Sequence, residues 1–174
     1  DRDEVLGTVL PRGGIATTEA VAVCLAMAGG RPEYLPVLIA SVEALTDPAL
    51  EHERMNTTTN SVYPVVVVNG DAAEDIRLSS GYGCLGPDPK NPAGASLGRA
   101  LRFLLMNLGG ALPGEGSMSI YGGPARYTGL VFAEDEAGIP EGWHPMNVEQ
   151  GYEEGTDTVT LYCVASTTNI PGGE

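Results

Sequence analysis

The chain has 174 residues, 43% of them hydrophobic and 18% charged, which is enough apolar mass for one buried core and too apolar for a disordered segment. Acidic residues outnumber basic ones 23 to 9, for a net charge of −14. A surface of that sign repels phosphate backbones and anionic lipid headgroups, so neither nucleic acid nor a membrane is an expected partner.

Residues 4–10 read as an extended segment stopped by Pro11-Arg12-Gly13-Gly14. Thr17 or Thr18 can cap a helix that carries Glu19 in its first turn and ends at Gly29-Gly30. Its run Ala-Val-Ala-Val-Cys-Leu-Ala-Met-Ala is apolar on nearly every face, which implies burial on several sides. Pro32 or Pro36 suits the first turn of a second helix reaching about Leu45, close enough to pack on the first as a hairpin. Asp47-Pro48 starts a short helical turn toward Met55.

Residues 62–68, Val-Tyr-Pro-Val-Val-Val-Val, are nearly all strand formers and end at Asn69-Gly70. So continuous an apolar run predicts a strand covered on both faces, with Pro64 near its beginning. A short helix over 71–76, an amphipathic helix over 95–108 and strands over 127–133 and 158–165 follow. The last two strands are joined by an acidic, turn-rich connection that contains Trp143 and His144. The alternation predicts one α/β or α+β domain over residues 1–174, with a mixed sheet and packed helices. The chain starts on Asp-Arg-Asp-Glu-Val-Leu and ends on Pro-Gly-Gly-Glu, and both ends read as cut from something longer.

The candidate chemistry concentrates between Gly81 and Gly116. There a loop, Gly81-Tyr-Gly83-Cys84-Leu-Gly86-Pro-Asp-Pro-Lys90-Asn-Pro, feeds the amphipathic helix and Gly109-Gly110 leaves it. Glycines let backbone amides approach a ligand, and a helix N-terminus favours an anion. On this reading Gly83, Gly86 and Lys90, the chain's single lysine, bind a small polar or anionic molecule. The loop lacks the Gly-x-x-x-x-Gly-Lys-[Ser/Thr] of a P-loop. It does show the Gly-x-Gly-x-x-Gly spacing, but Pro87 follows and the helix begins only near Ala95, so it is a poor dinucleotide fingerprint. A second reading makes Cys84 a nucleophile exposed by its flanking glycines. A third leaves an ordered surface loop whose glycines only serve turns.

In the helix, Leu97, Leu101, Leu104, Leu105 and Leu108 form the apolar stripe, while Arg99 and Arg102 share one side. Those arginines can clamp a carboxylate or phosphate, or pair with surface acids, and the acidity of the chain favours pairing. Gly98 in a helix interior costs about 1 kcal/mol relative to Ala and signals close packing on a neighbour. His144 with Glu149 can do acid/base work, or His144 can be a structural loop residue beside Trp143. Arg126 completes the candidate ligand-binding set of Gly83, Gly86, Lys90 and Arg99. Cys84, His144 and Glu149 form the catalytic one.

Cys24, Cys84 and Cys163 lie far apart, without Cys-x-x-Cys or Cys/His spacing. This offers no metal motif, leaves any cofactor unknown and suits a reducing cytoplasm. No apolar run approaches the roughly 20 residues of a membrane-spanning helix.

Several segments resemble a poorly characterised bacterial family grouped with selenoprotein-like UGSC-motif proteins: Arg31-Pro-Glu-Tyr-Leu-Pro-Val37, Ser96-Leu-Gly-Arg-Ala-Leu-Arg102, Asn107-Leu-Gly-Gly-Ala111 and Pro113-Gly-Glu115. The resemblance implies a longer protein at both ends. It also implies histidines where this chain has Gly123 and Asn147, so chemistry resting on them would be altered here. Two functions follow as expectations. One is a lyase- or hydrolase-like small-molecule enzyme or enzyme subunit. The other is a non-catalytic assembly subunit, with an oligomer plausible for either.

Overall fold

The computed structural model describes residues 1–85, 88–120 and 124–168. The chain begins with an antiparallel hairpin of β1 (Val5–Val9) and β2 (Gly14–Thr17). The second strand escapes sequence reading because it is short and Thr17 serves twice, ending β2 and capping α1 (Thr18–Met27) by accepting the Ala20 amide at 3.2 Å. A 3-10 turn at Pro32–Tyr34 then leads into α2 (Leu35–Thr46), and two more 3-10 turns, Pro48–Leu50 and His52–Met55, follow it.

The main sheet has the order β4-β3-β5, with β3 (Tyr63–Asn69) in the centre. It pairs parallel with β4 (Leu130–Ala133) and antiparallel with β5 (Thr158–Val164), so the sheet is mixed, and the domain is of the α/β kind. All seven residues of β3 are buried, as a continuous β-branched run requires of a central strand. Val66 and Val68 lie in register with Val131, Ala133, Val159 and Leu161 and build the core with Val21, Leu38, Val42, Leu97, Leu101 and Leu104. The helices α1, α2 and α4 (Ala93–Asn107) therefore cover one face of the sheet. On the other face Val67 pairs with Phe132, and α6 (Met146–Glu149) sits close enough for the Tyr162 hydroxyl to reach the Met146 sulfur at 3.3 Å. Two short helices complete the set, α3 (Asp71–Asp75) and α5 (Pro124–Thr128).

The fourth strand is shorter than residues 127–133. Its expected first residues belong to α5, which Gly129 ends at φ +61° with its amide donating to the Ala125 carbonyl at 2.7 Å. Helix α4 starts at Ala93, earlier than its apolar pattern suggests, behind Pro92. The helix presses directly on the sheet edge. A Cβ on Gly98 would lie 2.1 Å from the Thr128 carbonyl oxygen, and one on Gly94 would lie 2.3 Å from that of Val131.

Candidate functional site

The first turn of α4 leaves its leading amides without intrahelical acceptors, and no side chain caps them. Because Gly94 lets this turn lie against β4, the amides open onto a cavity of about 190 Å³ between α4, β4 and the loop after α3. Ser79, Cys84, Asn91, Arg99 and Thr128 contribute polar groups to its wall. Arg99 is exposed, stacks over Phe103 at 4.9 Å and has no carboxylate partner among the described residues. The expected pairing of this arginine with surface acids is therefore not found. Ser79 is only 7% exposed and lines the same cavity. The backbone fixes Ser79 in place, because its carbonyl accepts the Ala133 amide at 2.9 Å. The first turn of α4, Arg99 and Ser79 thus line one small space that carries no acidic side chain among the described residues. This is the donor set an anion needs.

The chain approaches that space through a turn built on Asp88. Its carboxylate accepts the Lys90 amide at 2.9 Å and the Asn91 side-chain amide at 2.7 Å, and these bonds hold its pKa below the usual aspartate value. Across Cys84, whose thiol is half-buried, a larger cavity of about 680 Å³ runs over Val67, Phe132 and Met146 beneath Tyr82. Glu134 and Asp135 also line it. A third, of about 300 Å³, shares these two residues and adds Asp71, Glu74 and Glu136. It opens at the carboxyl ends of the parallel strands β3 and β4, where α/β sheets commonly place ligands. Fully buried Asn69 organises that end. Its side-chain amide donates to Glu134 at 2.6 Å and to Glu136 at 2.9 Å, while the Gly70 and Met146 amides add a bond to each carboxylate.

Of the residues read from sequence, Cys84 and Arg99 meet in the small cavity. Gly83 lies in the adjoining turn at φ +73°, and exposed Lys90 follows Asp88; neither lines the cavities described. Gly86 and Gly123 lie outside the described residues. His144 and Glu149 are exposed on the connection between β4 and β5 and line none of these cavities, so the structure does not bring the three catalytic candidates together. Arg126 is an interior residue: its guanidinium donates to the Met55 and Val62 carbonyls and to the Ser117 hydroxyl. Arg102 is also buried and donates to the Ala111 carbonyl at 3.2 Å, which takes it away from the ligand side of α4. Asn147 is fully buried and holds the Thr156 carbonyl at 3.0 Å.

Sequence reading missed Ser79, Asn91 and Thr128 in the small cavity and Met146 in the larger one. Only for Asn91, inside the glycine- and proline-rich loop, was there a local signal. Among the described residues no group of three or more His, Cys, Asp or Glu is placed to hold a metal ion, and no helix is long and apolar enough to cross a membrane.

What the fold and site define is a mixed-sheet α/β domain with a donor-rich cavity at a helix N-terminus. Compared with known proteins, the chain matches no family model, no curated protein and no solved structure.

Proposed function

We propose that this chain is the ligand-binding part of a small-molecule enzyme or enzyme subunit and holds an anionic group, a carboxylate or phosphate, at the first turn of α4. The observation that carries this reading is that the uncapped first turn of α4, Arg99 with no carboxylate partner among the described residues, and Ser79 line one cavity without an acidic side chain among those residues. Of the residues read as catalytic, Cys84 stands beside that ligand, so a lyase- or hydrolase-like reaction would run through its sulfur. Titration calorimetry with acetate and phosphate tests the binding. Arg99→Gln should weaken whichever anion binds about tenfold or more, since a hydrogen bond to a charged group contributes about 1.5–3 kcal/mol. Ser79→Ala should weaken it about fivefold. Unchanged affinity in both variants would refute the assignment.

A second reading, an assembly subunit, draws on the sheet edge. The edge strand β5 exposes Tyr162 and Cys163, and an open edge is a template for pairing with another chain. Sedimentation of the protein at rising concentration distinguishes a self-associating chain from a monomer.

A further inference from the structure

The two edges of the main sheet differ. The Glu134 amide donates to the Val68 carbonyl at 3.1 Å, so Val66 and Val68 turn their backbone groups toward β4, and Val65, Val67 and Asn69 turn theirs toward β5. Pro64 agrees with this phase, since its missing amide falls on the β4 side ahead of Leu130, where β4 begins. On β4 the outward groups belong to Val131 and Ala133, and both residues are covered. Helix α4 closes on the Val131 carbonyl at Gly94, and the Ala133 amide donates to the Ser79 carbonyl at 2.9 Å. On β5 the outward groups belong to Val159, Leu161 and Cys163, which stand opposite Val68, Val66 and Pro64. No hydrogen bond to these amides or carbonyls is found among the described residues, so they form a row open to another strand. Every residue of β3 is buried, and none of β5 is.

This edge lacks the usual protection against pairing. Strand β5 reads Thr-Val-Thr-Leu-Tyr-Cys-Val, without charge, proline or glycine, and its register with β3 runs without a bulge. In a chain of net charge −14 it is an uncharged seam with unequal flanks. Glu153, Glu154 and Asp157 precede it, and uncharged Ala165-Ser166-Thr167-Thr168 follows. Parallel pairing of two copies would set Asp157 against Asp157. Antiparallel pairing about Leu161 sets Asp157 against Ala165 and Glu154 against Thr168, which keeps like charges apart. The strand also complements itself in this orientation. On the helix-covered face Leu161 meets Leu161 and Val159 meets Cys163. On the other face Thr160 meets Tyr162, a β-branched side chain against an aromatic one.

Resting on the assembly reading above, we propose that the chain forms a two-fold dimer in which β5 pairs antiparallel with the partner's β5, centred on Leu161. The two three-stranded sheets become one continuous sheet, in the order β4-β3-β5-β5-β3-β4. Helix α2, which packs on β5, flanks the two-fold axis in each copy. Val159 and the partner's Cys163 form a hydrogen-bonded pair with Cα atoms about 5.5 Å apart, within disulfide range. The two Cys163 residues are four positions out of register, about 14 Å apart, and cannot be bridged.

Val159→Cys tests this register. On mild oxidation the variant should give covalent dimers joined between the introduced thiol and the partner's Cys163, identified by peptide mass spectrometry. The unaltered chain should stay unlinked at Cys163 under the same oxidation, and a Cys163–Cys163 link would overturn the register. Sedimentation equilibrium then gives the dissociation constant. Cys163→Pro removes an outward amide from each copy without touching a bond to β3, and should raise that constant at least about tenfold. Cys163→Ser should leave it unchanged, with circular dichroism showing that each variant is folded. If the chain dimerises but Val159→Cys gives no link and Cys163→Pro changes nothing, the edge pairing is overturned while the assembly reading stands. A chain that stays monomeric at every concentration overturns both.

Discussion

Two arginines that look equivalent in sequence have opposite fates. Arg99 sits exposed over Phe103 beside a cavity, while Arg126 is buried and ties three separate stretches of chain through the carbonyls of Met55 and Val62 and the hydroxyl of Ser117. Removing a buried cation from such a cradle leaves its acceptors unsatisfied. Arg126→Met should therefore cost about 2–4 kcal/mol in chemical denaturation, and Arg126→Lys should recover little, because an ammonium cannot span the same acceptors as a guanidinium fork. Arg99→Gln, by contrast, should leave stability nearly unchanged. A stable Arg126→Met variant that had lost anion binding would return Arg126 to the ligand site. Local sequence could not separate the two arginines, since the partners of Arg126 come from residues 55, 62 and 117 and are set only by the fold.

At the level of elements, the contact of α4 with β4 positions the site. It depends on two glycines one helical turn apart. Gly→Ala in an exposed helix interior is stabilising by about 1 kcal/mol. At Gly98 the added carbon would lie 2.1 Å from the Thr128 oxygen, so the sign reverses. Gly98→Ala should lower the melting temperature by about 4–8 °C, corresponding to roughly 2 kcal/mol of overpacking in a domain of this size. A rise in melting temperature would show that α4 does not press on β4 there. The elements legible in the sequence were those with long apolar patterns: α1, α2, β3, α4 and β5 are each a run whose composition or period leaves little choice. The missed elements were short and locally ambiguous. Gly14–Thr17 shares its last residue with a helix cap, and Tyr127-Thr128, strand formers by propensity, were drawn into α5 between Pro124 and Gly129. The candidate site was legible only along its own loop and helix. The wall supplied by Ser79 depends on a long-range bond to Ala133, which no pattern within the loop announces.

Across the molecule, the hairpin, the helical layer and the sheet are joined by buried polar contacts as well as by the core. His52 is 3% exposed, and its Nε2 accepts the Leu10 amide at 2.9 Å, linking the turn after β1 to the 3-10 segment behind α2. Burial pushes its pKa below the ordinary imidazole value of 6.5, and the neighbouring Glu53 carboxylate only partly opposes this. A depressed histidine pKa favours the neutral form in the folded state. The contribution is therefore fully present above pH 6.5 and is lost as pH falls through the folded pKa. Denaturation midpoints should decline on acidification from neutrality to below pH 6, and His52→Gln should flatten that decline. An equal slope in both proteins would remove His52 from the account. Two cavities flank β4, one lined by the first turn of α4 and Arg99 and the other by Glu134 and Asp135, and Cys84 lines both. The most direct measurement of the central claim is an NMR titration of the amide-labelled protein with acetate or phosphate, following the backbone signals of Gly94 and Ala95. The account predicts saturable shifts at these two first-turn amides that Arg99→Gln abolishes. Shifts that leave Gly94 and Ala95 untouched, or that persist unchanged in Arg99→Gln, would contradict it.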